Sequence, residues 1–207
     1  RRVLFRSEAG AGDGDRIADG DGGSVDGSDH GRTRNLDREG AEGDTGIAVG
    51  GADGDVLDGG AGIDLASYST SSAAITASFA SGSLVVSGAD ASGDTFTSIE
   101  GVVGTAYADT LTGGSGVETL DGGGGDDTVN GSAGADTLIG GAGFDTVSYA
   151  ASGSAVTVRL DGSTGVGGDA QGDVLSGFEA VTGSGYNDFL YGASANDTLS
   201  EIGRAHV

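Results

Sequence analysis

Nine acidic residues stand where residue type and spacing could do chemistry. Asp109, Glu118, Asp127, Asp136 and Asp145 follow one another at nine-residue intervals. Each is followed two places later by an aliphatic residue: Leu111, Leu120, Val129, Leu138 or Val147. Asp55 and Asp64 hold the same spacing upstream, and Asp188 and Asp197 hold it downstream. The chain has no cysteine and only two histidines, so these carboxylates offer oxygen ligands with nothing softer beside them. Oxygen from carboxylates and turn carbonyls suits a hard cation. Calcium fits best, because magnesium demands tighter octahedral geometry and dehydrates reluctantly. Catalytic signatures are missing: there is no H-E-x-x-H, G-x-S-x-G, complete G-x-G-x-x-G or P-loop. Every turn repeats its carboxylate, whereas a glycosidase isolates one acid and one nucleophile, so no enzyme activity is expected of this stretch.

The elements that position these acids follow from the residues between them. Residues 104–148 divide into five nonapeptides, GTAYADTLT, GGSGVETLD, GGGGDDTVN, GSAGADTLI and GGAGFDTVS. Two more units fill 50–67 and another two fill 183–200. Glycine at the first, second and fourth places permits a tight turn with close backbone approach. The last three places alternate polar, aliphatic, polar, which points one side chain inward from a three-residue strand. Two units then make one 18-residue coil, stable only with neighbours above and below. Stacking at about 4.8 Å per rung brings Asp109 beside Asp127, Glu118 beside Asp136 and Asp127 beside Asp145. Two carboxylates about 5 Å apart repel by roughly 3 kcal/mol at an effective dielectric near 20. A divalent cation between the turns reverses that sign, so binding is expected to be coupled to folding, with a disordered chain in its absence.

This pattern resembles the RTX nonapeptide G-G-x-G-x-D-x-U-x, the calcium-binding repeat of hemolysin-type proteins. GGGGDDTVN and GGAGFDTVS fit it at every defined position. Glu118 in place of aspartate, Ala66 in place of a large aliphatic and Asp53 in place of a glycine depart from it. The units beginning at Gly104, Gly183 and Gly192 have lost glycines and are expected to hold an ion less fully. The resemblance implies an all-β chain, a right-handed parallel β-roll or β-solenoid of 18-residue coils, interrupted by degenerate β segments. It also implies several calcium ions at Asp55, Asp64, Asp109, Glu118, Asp127, Asp136, Asp145, Asp188 and Asp197. Secretion to the extracellular space or cell surface by a type I machinery is implied for the parent protein, with low cytoplasmic calcium leaving the chain unfolded before export.

A longer repeat is superimposed. Asp64, Tyr68, Ile75, Ala77 and Phe79 correspond at offset 81 to Asp145, Tyr149, Val156, Val158 and Leu160. Asp94, Ile99, Glu100, Gly104 and Asp109 correspond at offset 79 to Asp173, Phe178, Glu179, Gly183 and Asp188. The intervening segments 68–103 and 149–182 are therefore read as degenerate coils that continue the core and cap each block. Asp94 and Asp173 could add ligands there, although turn acids of this kind are usually only solvated. Residues 8–49 are acidic and glycine-rich without phase and are expected to be disordered or a decayed repeat.

Composition narrows the rest. Thirty-two acids against nine bases give a formal charge of −23, and Arg159 is the only base between Glu39 and Gly203. Such a chain repels nucleic-acid phosphates. No apolar run is long enough to span a membrane. RRVLFRS at 1–7 and EIGRAHV at 201–207 read as translations of one oligonucleotide in opposite orientations, similar to a sequencing adapter. Both ends are expected to lie outside the fold, and the remainder to be an internal part of a longer protein. That parent could be an RTX enzyme (a serralysin-like protease, a lipase or an epimerase) whose catalytic domain lies elsewhere, or a surface adhesin in which rolls act as spacers.

Overall fold

The structure, a computed structural model, describes residues 33–35, 47–49, 54–79, 82–88, 90–194 and 196–202. Strands form where the alternating triplets predict them. β-Branched threonine, which fits a pleated strand well, opens Thr110–Thr112, Thr119–Gly124, Thr128–Asn130, Thr137–Ala142 and Thr146–Ser148. The aliphatic residue at the centre of each triplet points inward, and Leu111, Leu120, Val129, Leu138 and Val147 are all fully buried. Each such side chain contributes about 1.5–3 kcal/mol of burial.

The strands pair in parallel at an 18-residue step. Thr110 pairs with Thr128 and Thr128 with Thr146 on one side, while Thr119 pairs with Thr137 on the other. Two sheets result. The first runs Ile47–Val49, Leu65–Ser67, Gly101–Val103, Thr119–Gly124, Thr137–Ala142, Val174–Ser176. The second runs Val85–Gly88, Ile75–Ser78, Thr110–Thr112, Thr128–Asn130, Thr146–Ser148, Ala180–Thr182, Thr198–Ser200. The core lies between them. At Gly141 the backbone takes φ +110 and passes so close to the coil beneath that a Cβ would strike the carbonyl of Gly123. This all-β parallel roll is the architecture expected.

The long sequence repeat is a structural repeat as well. In the first copy Val56 pairs with Thr95, Leu65 with Gly101 and Thr76 with Thr110. In the second, Thr137 pairs with Val174, Thr146 with Ala180 and Thr157 with Phe189. Here the coil is three-sided. Val56–Asp58, Leu65–Ser67 and Ile75–Ser78 lie in three different sheets, and the chain revisits those sheets in the same order at Thr95–Thr97, Gly101–Val103 and Thr110–Thr112. Buried Tyr68 and Tyr149 pack in the core of this wider section. From Leu65–Ser67 to Thr146–Ser148 the chain passes between the first and second sheets at Ile75, Gly101, Thr110, Thr119, Thr128, Thr137 and Thr146, an odd number of half-coils. The pair in the first sheet in copy one, Leu65–Ser67 with Gly101–Val103, therefore recurs in the second sheet as Thr146–Ser148 with Ala180–Thr182.

The regular coil reaches further upstream than the expected boundary at residue 50. Ile47–Val49 pairs with Leu65–Ser67 at the 18-residue step, and Thr33–Asn35 pairs with Val56–Asp58. The expectation of disorder for 8–49 otherwise falls outside the described residues, as do 1–7 and 203–207. Among the described residues no helix is long and apolar enough to cross a membrane.

Candidate metal centre

Each repeat acid is the residue just before its strand, and the ladder fixes it through its own backbone. The carbonyl of Asp109 accepts from Thr128 N–H, that of Glu118 from Thr137 and that of Asp127 from Thr146, each at 2.9 Å. The side chain is thereby turned into the bend and buried. Asp55, Asp64, Asp109, Glu118, Asp127, Asp136, Asp145 and Asp188 are all buried, and only Asp197, on the last described rung, is partly exposed.

Register sorts these acids into rows. Asp109, Asp127 and Asp145 form one, and Glu179 and Asp197 precede the next two paired strands of the same sheet. Asp64, Glu118 and Asp136 belong to the other sheet, where Glu100 and Asp173 fill the corresponding places. The expected pairs are made, and they are stitched by hydrogen bonds. The Asp109 amide donates to Asp127 Oδ1 at 2.7 Å, the Glu118 amide to Asp136 Oδ1 at 2.9 Å and the Asp127 amide to Asp145 Oδ1 at 2.8 Å.

The degenerate segments carry the same stitch. The amide of Asp55 donates to Asp94 Oδ1 and that of Asp136 to Asp173 Oδ1; the amide of Asp64 donates to Glu100 Oε2 and that of Asp145 to Glu179 Oε2. Sequence reasoning matched Glu100 with Glu179 in the long repeat but gave neither a place among the candidate ligands. Of its two readings for Asp94 and Asp173, added ligands or solvated turn acids, solvation fails at Asp173, which is 0% exposed. The signal was present in half of the motif. Asp94, Glu100, Asp173 and Glu179 each precede a short x-U-x strand, but without the opening glycine pair of the motif. Tyr68 and Tyr149 close these two places, their hydroxyls donating to Asp94 Oδ2 at 2.5 Å and Asp173 Oδ2 at 2.7 Å. Burial, reinforced by the neighbouring aspartate, holds both phenols far above their ordinary range, so they stay protonated donors.

Electrostatics in the rows is unfavourable to bare carboxylates. Burial pushes Asp127 up to about 6 against the partial opposition of the Asp109 amide, and the charges of Asp109, Asp145 and Asp121 add to the rise. Asp136 is pushed up to about 7 by burial, with the charges of Asp173 and Glu118 adding. Asp145 and Asp173 are raised for the same first reason. Arg159 offers these turns no neutralisation; its guanidinium lies 3.9 Å from the centroid of the Tyr191 ring.

Asp127, Asp136 and Asp145 each keep a buried Oδ2 that has no hydrogen-bond donor. A buried anionic oxygen without a partner is costly and calls for a cation or a proton. A methyl group at Gly122 would overlap both Asp127 Oδ2 and the carbonyl oxygen of Gly140 on the next coil, so carboxylate and carbonyl oxygens converge where only glycine fits. Among the described residues no three acidic, histidine or cysteine side chains gather at one point. An ion here would draw its remaining ligands from backbone carbonyls and water. The donor set fits calcium.

The family model of the RTX calcium-binding nonapeptide repeat matches four times, at 47–66, 102–129, 112–147 and 173–200. The chain belongs to the RTX calcium-binding repeat family. No curated protein matches it. The first match starts at the strand Ile47–Val49, and the last starts at Asp173, the acid that the degenerate segment carries in the repeat's acidic position. This RTX chain is a calcium-binding β-roll module.

Proposed function

We propose that calcium drives this module from a disordered chain to a rigid roll after export of a secreted parent protein, and that the module itself binds rather than catalyses. One observation carries the reading: the buried, donor-less Oδ2 atoms of Asp127, Asp136 and Asp145. Bound calcium supplies two positive charges and six to eight oxygen-coordination places. Asp127 and Asp145 would hold it on one row and Asp136 on the other, with turn carbonyls such as that of Gly140 completing the shell. Without that charge the rows set several repulsions of roughly 3 kcal/mol each against a total stability of about 5–15 kcal/mol. The cytoplasm, poor in calcium, would then keep the chain unfolded and threadable, and the outside medium would fold it.

Circular dichroism through a calcium titration tests this. A strand signal that grows with calcium, and grows poorly with magnesium, is expected. A full strand signal in chelator would sink the coupling. A second reading, a calcium-stiffened spacer within a longer array, is favoured by the equivalent hydrogen bonds of the two copies. Calcium-dependent lengthening measured by small-angle scattering tests it.

A further inference from the structure

The turns divide by the backbone of their second residue. Ahead of Asp127, Asp136 and Asp145 that residue is Gly123, Ser132 or Gly141, with φ +89, +66 and +110. The amide of Gly123 then faces Asp121 Oδ1, at 3.1 Å, instead of the acid of its own turn. Ahead of Asp109 and Asp188 the second residue is Thr105 or Ser184, and neither has positive φ. In both of these turns its amide donates to the acid's Oδ2 at 2.6 Å. Its hydroxyl donates to Oδ1, at 3.1 Å from Thr105 and 2.6 Å from Ser184. Amides of the adjoining coil, from Ile75 and Val156, add another donor to each Oδ1. These carboxylates have partners on both oxygens, whereas those of Asp127, Asp136 and Asp145 have partners on one.

We propose that the backbone conformation of the second turn residue decides whether a turn takes an ion, and that the amides and hydroxyls of Thr105 and Ser184 are built-in substitutes for calcium at Asp109 and Asp188. The inference rests on the calcium reading above and sorts its sites. Charge-assisted donors from an amide and a hydroxyl supply the positive field that an ion supplies elsewhere. Bringing an ion to such a turn would break them. Threonine, being β-branched, resists the positive φ that turns the amide away, so the closed form is fixed by residue type at Thr105. Ions therefore belong to the turns of Asp127, Asp136 and Asp145, and the turns of Asp109 and Asp188 fold without them.

The test is a gain of binding. The full chain and the double variant Thr105→Gly/Ser184→Gly are compared by equilibrium dialysis with calcium alone. They are also compared by terbium emission sensitised by Tyr107 and Tyr186, each two residues beyond a replaced position. Glycine there permits the open backbone, and the ions bound at saturation are expected to rise by about two, with stronger tyrosine-sensitised emission. Thr105→Ser/Ser184→Thr keeps the hydroxyls and is expected to match the parent chain. If the double variant loses its strand signal in calcium, the single glycine variants carry the test, each expected to gain about one ion. An unchanged ion count and emission beside a calcium-binding parent chain would overturn this inference alone. A parent chain that binds no calcium would overturn the calcium reading and this inference with it.

Discussion

The amide of Asp127 donates to Asp145 Oδ1 across 2.8 Å, so each acid in the row also holds the coil before it. Charge and hydrogen bonding can be separated at this position. Asp145→Asn keeps an acceptor for Asp127 while removing the charge, and Asp145→Ala removes both. In chelator, Asp145→Asn is expected to keep at least as much strand signal as the unsubstituted chain, because a buried unpaired charge is gone. In saturating calcium it is expected to melt lower. Asp145→Ala is expected to lose about 1–3 kcal/mol in saturating calcium through the orphaned amide. Thermal melts of the three chains in calcium, with their strand signal in chelator, check the order.

Protons and calcium compete for the same oxygens, which sets a pH dependence. Asp127 and Asp136 are raised in the folded chain to about 6 and about 7, above the ordinary aspartate value. The folded state thus binds more protons than the unfolded one between about pH 4 and pH 7. Stability of the calcium-free roll is accordingly fullest below the ordinary value and is lost as pH rises through 6 to 7. Calcium affinity runs the other way and weakens as pH falls through the same window. Strand signal in chelator at pH 4.5 and pH 8, with calcium titrations at both, is expected to show opposite trends.

Leu120 is 0% exposed at the centre of the first sheet. Leu120→Ala is expected to cost about 2–5 kcal/mol through lost burial and the cavity left behind. Denaturant unfolding in saturating calcium measures it. Calcium content at saturation is expected to stay unchanged, since Leu120 faces the core and no ion.

Tyr149→Phe strips Asp173 of the donor on its Oδ2 while leaving the packing volume nearly intact. A loss of about 1–3 kcal/mol is expected, and it should be partly recovered by Asp173→Asn in the same chain. Calorimetric melts of the single and double variants decide this.

Much of this was legible in the sequence because the repeat writes one physical requirement into each position. The acid at Asp127, the inward aliphatic at Val129 and the glycine at Gly122 are each demanded by a different neighbour, so period and residue type agree. The three-sided coils were less legible. Their acids, Glu100 and Glu179, lack the glycine pair that opens the motif, and their pairing steps of 36 residues from Leu65 to Gly101 and 34 from Thr146 to Ala180 exceed the regular period. The division of the turns was not legible at all. Gly114 and Gly123 are the same residue at the same place, yet the Gly114 amide closes on Glu118 Oε2 at 3.1 Å while the Gly123 amide turns away. That difference lives in a backbone angle that glycine leaves free.

Because the unit spans three and a half turns, one of them the wide coil from Leu65 to Gly101, duplication of it rotates as well as translates it. Whatever decorates one flank in the first copy reappears across the roll in the second, as Ser78, Thr110 and Thr112 become Arg159, Phe189 and Tyr191 in a different sheet. Growth by this unit would turn each module half a revolution from the one before it, so a surface stripe along one side would draw on alternate copies only.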